Sequence, residues 1–394
     1  MVEPARADTL GFRVPLFGRE TFAARRKEAA TMLAGAGLDA LLVTVPENIY
    51  YLVGLDHFGY FAFHALVLPA DGEAVLIARR MEQVTIARDV PDLDFAGYYD
   101  DADIAVHCVD VIRGAVGPAT RVGMEESSLY LPPRVWATIV SGMPESEFVD
   151  ASDLLTRLRL VQGPEELAVT RLTAEVSDAM MAAAIDAAGE GVTEREVATA
   201  AVEAMMGAGG EPPAFWPFVR ATSRLNEDHT TWTDYPLKIG DALFLELSGS
   251  IGRYHAPMGR VVFIGEAPAG SVGVSEVCLA AFAAARSAAK AGVAAGDVYA
   301  AWQRIVDDAG LAHYRRHHCG YATGIGFPPS WSGNGVPRAL RPGGEDALVE
   351  GMVFHLMSWM MGTGQGDYFV SDPVVITPTG ADRLSMSPQA LSVV

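Results

Sequence analysis

The sequence predicts an α+β protein with two domains, an α/β domain over residues 1–155 and an α+β domain over residues 156–394. The chain has 394 residues, half of them hydrophobic, which is enough for two separate cores. Helix and strand patterns alternate in the first part, whereas runs with strand character dominate the second. The composition changes between Pro144 and Ala151, and this change marks the region of the domain boundary.

The first domain begins with a basic amphipathic stretch, Arg19–Gly35, which predicts a helix. An apolar strand is predicted at Ala40–Thr44. Residues 64–69 and 74–78 predict a β-hairpin, because Asp71-Gly72 between them is a favoured turn pair. These elements indicate an α/β layer.

The second domain opens with helices and continues as a sheet. Its predicted helices have Ala- and Leu-rich faces and lie at residues 152–159, 164–189, 193–207, 275–292 and 296–310. Its predicted strands lie at residues 242–248, 254–264, 352–358 and 369–377. Helices on one side of a mainly antiparallel sheet leave the other face open, so we expect the pocket on the open face.

Composition excludes several classes of partner. The net charge of −20 argues against nucleic acid, because phosphate binding needs a basic surface. No segment approaches the roughly 18 uninterrupted apolar residues of a membrane span, and the first residues are unlike a signal peptide. Three cysteines are too few and too scattered for a disulfide framework. We therefore predict a cytoplasmic protein that binds a small molecule, and neither nucleic acid nor membrane.

Two ionisable residues lie in a run that otherwise predicts a core hairpin. Residues 242–248 form one strand, Gly249–Gly252 form the turn, and residues 254–264 form the second strand. This register places Glu246 opposite His255, with Cβ atoms about 5 Å apart. Because an unpaired charge there is costly, the two residues are interpreted either as a catalytic pair or as a structural ion pair.

Other ionisable residues in the same domain are candidates for a site, because such groups in apolar strands mark functional pockets. His229 precedes the hairpin, and His355 and Asp372 lie in the last two predicted strands. A lone histidine is commonly a core residue, but several such groups on successive elements favour a shared site.

The tripeptide His317-His318-Cys319 has the residue types of a metal cluster. Adjacent residues on a strand point to opposite faces, however, so a strand edge or loop is the favoured interpretation.

The order of elements and several motifs resemble the creatinase and aminopeptidase P family, peptidase family M24, over nearly the whole chain. The segments that carry this resemblance are residues 46–54, 157–167, 236–241 and 350–354. The resemblance implies a pita-bread catalytic domain preceded by a creatinase-type N-terminal α/β domain.

Metal-dependent members of this family hold two ions with Asp, Asp, His, Glu and Glu. Alignment by the flanking motifs places those ligands at Glu246, Pro257, Tyr321, Met357 and Ser371. Four of these residue types cannot replace a carboxylate or imidazole ligand, so we expect no metal and no other cofactor.

The metal-free members include creatinase and ectoine hydrolase. The catalytic carboxylates of creatinase fall at Gly259 and about Val370, which disfavours creatinase itself. The segments that resemble ectoine hydrolases are residues 229–234, 245–249, 253–257, 320–331 and 351–355. One departure is Asp372, where that subgroup carries Glu.

The resemblance implies roles for the catalytic candidates. His229 would pass a proton to the leaving nitrogen, while Glu246 would activate water or attack the carbon. His255 would orient and ionise Glu246. Tyr321 would donate a hydrogen bond to the tetrahedral intermediate.

The remaining candidates would bind the substrate. Asp372 and His355 would hold the charged ends of a zwitterionic compound, and Trp216 would close the pocket, although packing explains Trp216 equally well. By analogy with the family, His64 would reach the site of a partner subunit in a homodimer.

We therefore expect a metal-independent hydrolase of an amidine or amide carbon–nitrogen bond in a small zwitterionic compound. The alternatives are a metal-dependent Xaa-Pro peptidase or lyase of the same fold, and a non-catalytic binding protein. Retention of His229, Glu246 and His255 disfavours the binding protein.

Overall fold

The computed structural model describes residues 15–333, 338–362 and 366–394, which form two compact units. The first unit ends at Arg159 and the second begins at Leu160. The boundary expected from the sequence lies at residues 155 and 156.

The N-terminal unit is a mixed sheet with helices. Its helices are α1 Arg19–Gly35, α2 Pro46–Val53, α3 Gln83–Asp89, α4 Ile104–Val116, α5 Pro133–Gly142 and α6 Ser152–Leu160. Its strands are β1 Ala40–Val43, β2 Ala65–Pro69, β3 Val75–Arg79, β4 Asp94–Tyr98, β5 Arg121–Met124 and β6 Glu147–Asp150. The strand order is β4-β3-β2-β1-β5-β6. The predicted hairpin is present as the antiparallel pair β2 and β3.

A buried carboxylate anchors the start of α2. Glu125 is 1% exposed, and its Oε2 accepts hydrogen bonds from the backbone N–H groups of Thr44 and Val45 at 2.6 and 2.8 Å. Pro46 occupies the first turn of the helix, and Gly54 ends the helix with a φ of 76°. Local sequence therefore sets both ends of this helix.

The second unit combines four α-helices and a mainly antiparallel sheet within its described residues. The helices are α7 Pro164–Ala187, α8 Glu194–Gly207, α9 Ser271–Ala288 and α10 Ala295–Asp308. The strands are β7 Phe218–Ala221, β8 Ala242–Leu247, β9 Ser250–Ile251, β10 Tyr254–His255, β11 Met258–Phe263, β12 Gly320–Ala322, β13 Val353–Met360, β14 Tyr368–Ile376, β15 Ala381–Arg383 and β16 Ser392–Val393. The main strand order is β12-β13-β14-β11-β8-β7, with β15 beside β14 and β16 beside β11.

The helix α9 has the length and apolar composition of a membrane span. Its buried residues, which include Val274, Cys278 and Phe282, belong to the hydrophobic core of the second unit. The apolar face of α9 therefore packs as it does in the core helix of a folded domain.

The predicted hairpin register between residues 242 and 264 is wrong. Two positive φ angles, 52° at Gly252 and 66° at Arg253, form a two-residue turn that joins β9 to β10, so the turn is not at residues 249–252. The predicted second strand is also interrupted at Pro257, which has no N–H for the ladder. Consequently Glu246 lies opposite Gly259, and His255 lies opposite Ser250.

Candidate active site

One face of the second unit's sheet carries a row of residues on four adjacent strands. Glu246 on β8 lies opposite Gly259 on β11, which lies opposite Ser371 on β14, which lies opposite Met357 on β13. Tyr321 on β12 joins the same face, since it lies opposite His355, two residues from Met357. Residues directly opposed on antiparallel strands share a face, so this row forms one surface.

His355 connects two of the neighbouring side chains. Its Nδ1 lies 3.0 Å from the Tyr321 hydroxyl, and its Nε2 lies 2.7 Å from Ser371 Oγ. The Tyr321 hydroxyl also accepts a hydrogen bond from the Trp331 indole at 2.8 Å. Burial, with a smaller contribution from His318, lowers the pKa of His355 to about 3, so the ring is neutral near pH 7. A neutral ring donates through one nitrogen and accepts through the other. The hydrogen-bonded series Tyr321–His355–Ser371 can therefore pass a proton from one group to the next.

Glu246 is the carboxylate of this surface. Its side chain is 12% exposed, and its Oε1 lies 3.8 Å from His355 Nδ1. Burial raises the pKa of Glu246 to about 7, against the opposing effect of Arg220 and Arg316. A carboxylate with this pKa is suited to act as a base near neutral pH.

Two arginines that the sequence analysis did not select lie beside Glu246. The Arg220 guanidinium lies 3.9 Å from the centre of the Phe244 ring, and Arg220 is 1% exposed. The Arg316 guanidinium lies 3.8 Å from the centre of the Trp359 ring. Burial lowers the pKa of both arginines, and Glu246 opposes that shift in each case. Arg220 could have been selected from the sequence, because it is a charged residue in the otherwise apolar strand Phe218–Ala221.

His229 lies at the edge of this surface. It is exposed, and its ring centre lies 6.1 Å from that of Phe218, which is directly opposite Glu246 on the neighbouring strand. Phe215 packs on the other side at 6.4 Å. The backbone of His229 has a φ of 55°, a conformation that non-glycine residues seldom adopt. The loop thus presents His229 beside the aromatic neighbour of Glu246.

The predicted role of His255 is wrong. Its Nδ1 donates to the Arg253 carbonyl at 2.8 Å, and its Nε2 accepts from the Ala214 N–H at 2.9 Å. Both ring nitrogens are therefore used by backbone groups, and burial lowers the pKa of His255 to about 4. His255 is a neutral structural histidine that joins two loops, and the altered register removes it from Glu246.

The predicted role of Asp372 is also wrong. It follows Ser371 on β14, so its side chain projects from the opposite face of the sheet. Its carboxylate accepts hydrogen bonds from Arg260 at 2.8 Å, from Ser385 and from Gln389. Asp372 is therefore a buried structural anion.

Two further residues, Trp216 and His64, were predicted to bind the substrate. Trp216 is 52% exposed and lines a cleft of about 770 Å³ with α8, whose lining residues do not include Glu246. His64 belongs to the N-terminal unit, where burial lowers its pKa to about 3. That His64 reaches the site of a partner subunit stays a prediction.

The tripeptide His317-His318-Cys319 lies in the loop before β12, so the loop interpretation holds. His317 is exposed and Cys319 is buried, while His318 Nδ1 accepts a hydrogen bond from the Gly320 N–H at 3.3 Å. Among the described residues, no group of three or more His, Cys, Asp or Glu side chains is arranged to hold a metal ion.

Two family models match the chain. The model of metallopeptidase family M24 matches residues 168–378, and that of the creatinase/prolidase N-terminal domain matches residues 25–161. The chain belongs to family M24. It therefore combines the creatinase-type N-terminal domain with the pita-bread catalytic domain, and the fold class expected from the sequence is confirmed.

Individual M24 proteins align over almost their whole length. Ectoine hydrolase of Halomonas elongata is 28% identical over 397 residues, covering 96% of this chain and 98% of that protein. The probable dipeptidase PepE of Mycobacterium tuberculosis is also 28% identical, over 96% of this chain and 98% of its own. The crystal structure of dipeptidase PepE from Mycobacterium ulcerans superposes with a TM-score of 0.82 at 26% identity, covering 96% of this chain and 99% of that chain. Prolidase from Thermococcus sibiricus gives a TM-score of 0.85 at 20% identity, covering 95% and 99%, which shows the common fold.

The residues of this M24 chain do not fit the metal that the family name implies. Of the five aligned ligand positions, Glu246 is a carboxylate, and the others are proline, tyrosine, methionine and serine. Hard divalent ions need several anionic oxygen or imidazole ligands that converge. The charged groups near Glu246 include two arginines, which repel a cation.

Proposed function

We propose that this M24 hydrolase cleaves a carbon–nitrogen bond of a small zwitterionic amidine or amide, such as ectoine or a close relative, without a metal ion. One observation carries the proposal: Glu246 is retained on a sheet face whose other aligned ligand positions cannot bind metal. The similarity to ectoine hydrolase of Halomonas elongata over almost the full length supports the substrate class.

Glu246 supplies the base or the nucleophile in this proposal. As a base, its carboxylate takes a proton from water, and the water oxygen bonds to the amidine carbon. As a nucleophile, its oxygen bonds to that carbon first and one nitrogen departs with a proton, which leaves an acyl imidate from an amidine or a mixed anhydride from an amide. Water then hydrolyses this intermediate and regenerates the carboxylate. In both routes one carbon–nitrogen bond breaks, and the products together contain one added water.

Two neighbours complete the chemistry. Tyr321, whose hydroxyl accepts a hydrogen bond from Trp331, donates its own proton toward the oxyanion that develops on the carbon. The exposed ring of His229 delivers a proton to the departing nitrogen. His355, neutral and hydrogen-bonded to Tyr321, orients that hydroxyl.

The test is hydrolysis of ectoine by chelator-stripped protein, followed by mass spectrometry and proton NMR. We expect a product heavier by one water, and loss of at least about 100-fold in kcat/KM in Glu246→Gln, since this change removes the proposed base or nucleophile. His229→Ala should lower kcat with the fold intact. Trapping of substrate carbon covalently bound to Glu246 after denaturation distinguishes the nucleophile from the base.

The second candidate is an Xaa-Pro or other dipeptidase, favoured by the similarity to the probable dipeptidase PepE and to Xaa-Pro dipeptidases. Dipeptide hydrolysis that requires added manganese, without any reaction of ectoine, would replace the first proposal by this one.

We further propose that the protein acts as a cytoplasmic homodimer in which His64 contributes to the partner's site. Analytical ultracentrifugation measures the assembly. His64→Ala in a stable dimer should lower kcat/KM. An unchanged kcat/KM would show that His64 only packs within its own unit and does not contribute to the partner's site.

A further inference from the structure

Arg220 is a buried guanidinium that has no polar partner among the residues that the structure describes. It is 1% exposed and makes no hydrogen bond or close ion pair with the residues that the structure describes, and its Nε is fully buried. The Phe244 ring at 3.9 Å compensates only part of the cost of burying this charge. A guanidinium has five N–H donors in a planar fork, so Arg220 is incompletely satisfied in this state of the protein.

Arg316 repeats this arrangement from another segment of the chain. Its guanidinium lies on the Trp359 ring, and its Nε is buried without a partner among the described residues. Among the described residues, Arg316 forms one long ion pair, with 3.9 Å between its Nη1 and Oδ2 of Asp228. The Asp228 side chain is 53% exposed.

The two guanidiniums lie on one aromatic floor. Phe244 stacks on Phe369 with ring centres 5.0 Å apart, and Trp359 contacts these two rings at 5.6 and 4.9 Å. Phe244 is two residues before Glu246 on β8, so the floor continues the sheet face that carries Glu246. A guanidinium that lies over an aromatic ring directs its N–H groups away from the ring, so these contacts do not use the hydrogen-bond donors of either arginine.

Arg260 shows what a structural arginine in the same sheet looks like. It is 2% exposed, and its donors bind Asp372 and the carbonyls of Gly259, Ser371, Ser387 and Pro388. The fold thus satisfies a buried guanidinium fully where its role is structural, in contrast to Arg220 and Arg316.

We propose that Arg220 and Arg316 form a carboxylate receptor, which holds the carboxylate of the substrate beside Glu246. That the bound molecule is the substrate rests on the proposed function, whereas the receptor itself does not. The pair excludes uncharged amides and esters as good ligands, because the buried Arg220 guanidinium would gain no charged partner and Arg316 would keep its long ion pair alone. The substrate class is therefore an amidine or amide that carries a free carboxylate.

Binding is measured on Glu246→Gln protein, so that no turnover is needed. Calorimetric titration with ectoine should show about 10- to 100-fold weaker affinity when Arg220→Met or Arg316→Met is added, because each removes charge-assisted hydrogen bonds. The carboxamide analogue of ectoine should bind weakly to all of these proteins. N-acetylglycine serves as a second carboxylate probe. Equal binding of ectoine and its carboxamide, or no effect of either arginine, would overturn the proposal.

A stability measurement separates a receptor from a structural role. In the ligand-free Glu246→Gln protein, Arg220→Met should raise the melting temperature, since it replaces an uncompensated buried charge with an apolar side chain. The matched control Arg260→Met should lower it, because that change leaves the Asp372 carboxylate buried and unpaired. If Arg220→Met lowers the melting temperature as much as the control does, Arg220 is structural and the proposal fails.

The two proposals fail in different ways. Carboxylate binding that depends on the arginines, without hydrolysis of ectoine, retains the receptor and removes the proposed reaction. Hydrolysis of ectoine that is unchanged by Arg220→Met and Arg316→Met retains the reaction and removes the receptor.

Discussion

At the scale of single residues, the pKa of Glu246 is set by competition between burial and two guanidiniums. Burial favours the neutral carboxyl group, whereas Arg220 and Arg316 favour the carboxylate, and the resulting pKa is about 7. A base or nucleophile must be ionised, so we expect kcat/KM to fall as the pH decreases through about 7. A pH–rate profile on ectoine tests this expectation, and a rate that is constant between pH 5.5 and 8.5 would contradict it.

Removal of Arg220 should displace this profile. The arginine lowers the pKa of Glu246, so Arg220→Met should move the midpoint of kcat/KM to higher pH. Arg220→Lys keeps the charge and serves as the control, with a smaller displacement. A midpoint that stays in place in both variants would show that Glu246 is not the titrating group.

The two histidines predicted to be catalytic beside Glu246, His229 and His255, should respond differently to truncation. His255 is fully buried with both nitrogens bonded, so His255→Ala should lower the free energy of unfolding by about 2–4 kcal/mol. His229 is exposed, so His229→Ala should leave stability almost unchanged and reduce the rate. Urea unfolding of both variants measures the difference. Equal destabilisation would contradict the assignment of His255 as structural.

At the scale of elements, the close approach of β11 and β14 depends on Gly259. A Cβ atom added at Gly259 would lie 2.1 Å from the Phe369 ring and 3.0 Å from Ser371 Oγ. The aromatic floor thus occupies the space where creatinase is expected to carry a carboxylate. This is a physical reason why the present chain cannot use the creatinase arrangement.

Gly259→Ala should therefore destabilise the protein by about 1–3 kcal/mol through overpacking. It should also weaken carboxylate binding, because Phe369 supports the ring beneath Arg220. Gly273→Ala is the matched control, since Gly273 lies in α9 with no atom within 4 Å of an added Cβ. That control should stabilise by about 0.5–1 kcal/mol. Thermal unfolding and calorimetric titration measure both effects.

At the scale of the whole molecule, buried histidines and carboxylates have opposite effects on stability in acid. Burial lowers the pKa of four histidines to about 3 or 4, namely His64, His255, His318 and His355. The unfolded chain therefore binds more protons at these groups from about pH 6.5 downward, and stability falls as the pH falls. Burial raises the pKa of Glu125 and Glu246 to about 7, so between 4.5 and 7 the folded state binds more protons there, and stability rises as the pH falls.

Four histidines outweigh two carboxylates between pH 4.5 and 6.5. We expect melting temperatures to decrease from pH 6.5 to 4.5. Between 6.5 and 7.5 they should stay nearly constant, because ionisation of the two carboxylates is balanced by loss of protons from the histidines of the unfolded chain. Differential scanning calorimetry measures this profile. Glu246→Gln should make the melting temperature rise from pH 6.5 to 7.5, and a melting temperature that increases steadily down to pH 4.5 would contradict the assignment.

Much of the fold could be predicted because its signals are local. The helix from Arg19 to Gly35 and the β2–β3 hairpin follow from periodicity and turn residues within the elements themselves. Part of the candidate site could also be predicted from the sequence. Glu246, Tyr321 and His355 were selected, and the structure brings them together on one sheet face.

The sequence by itself determined the element types, the family and the residue types at the aligned ligand positions, because residue identities and local periodicity express these properties. Only the tertiary structure decided which ionisable groups meet. The turn at Gly252 and Arg253 moved His255 away from Glu246, and alternation along β14 directed Ser371 to the site and Asp372 to the opposite face. Strand register and the choice of the open face depend on contacts between residues far apart in the chain, so Arg220 and Arg316 became visible as a pair only in the folded molecule.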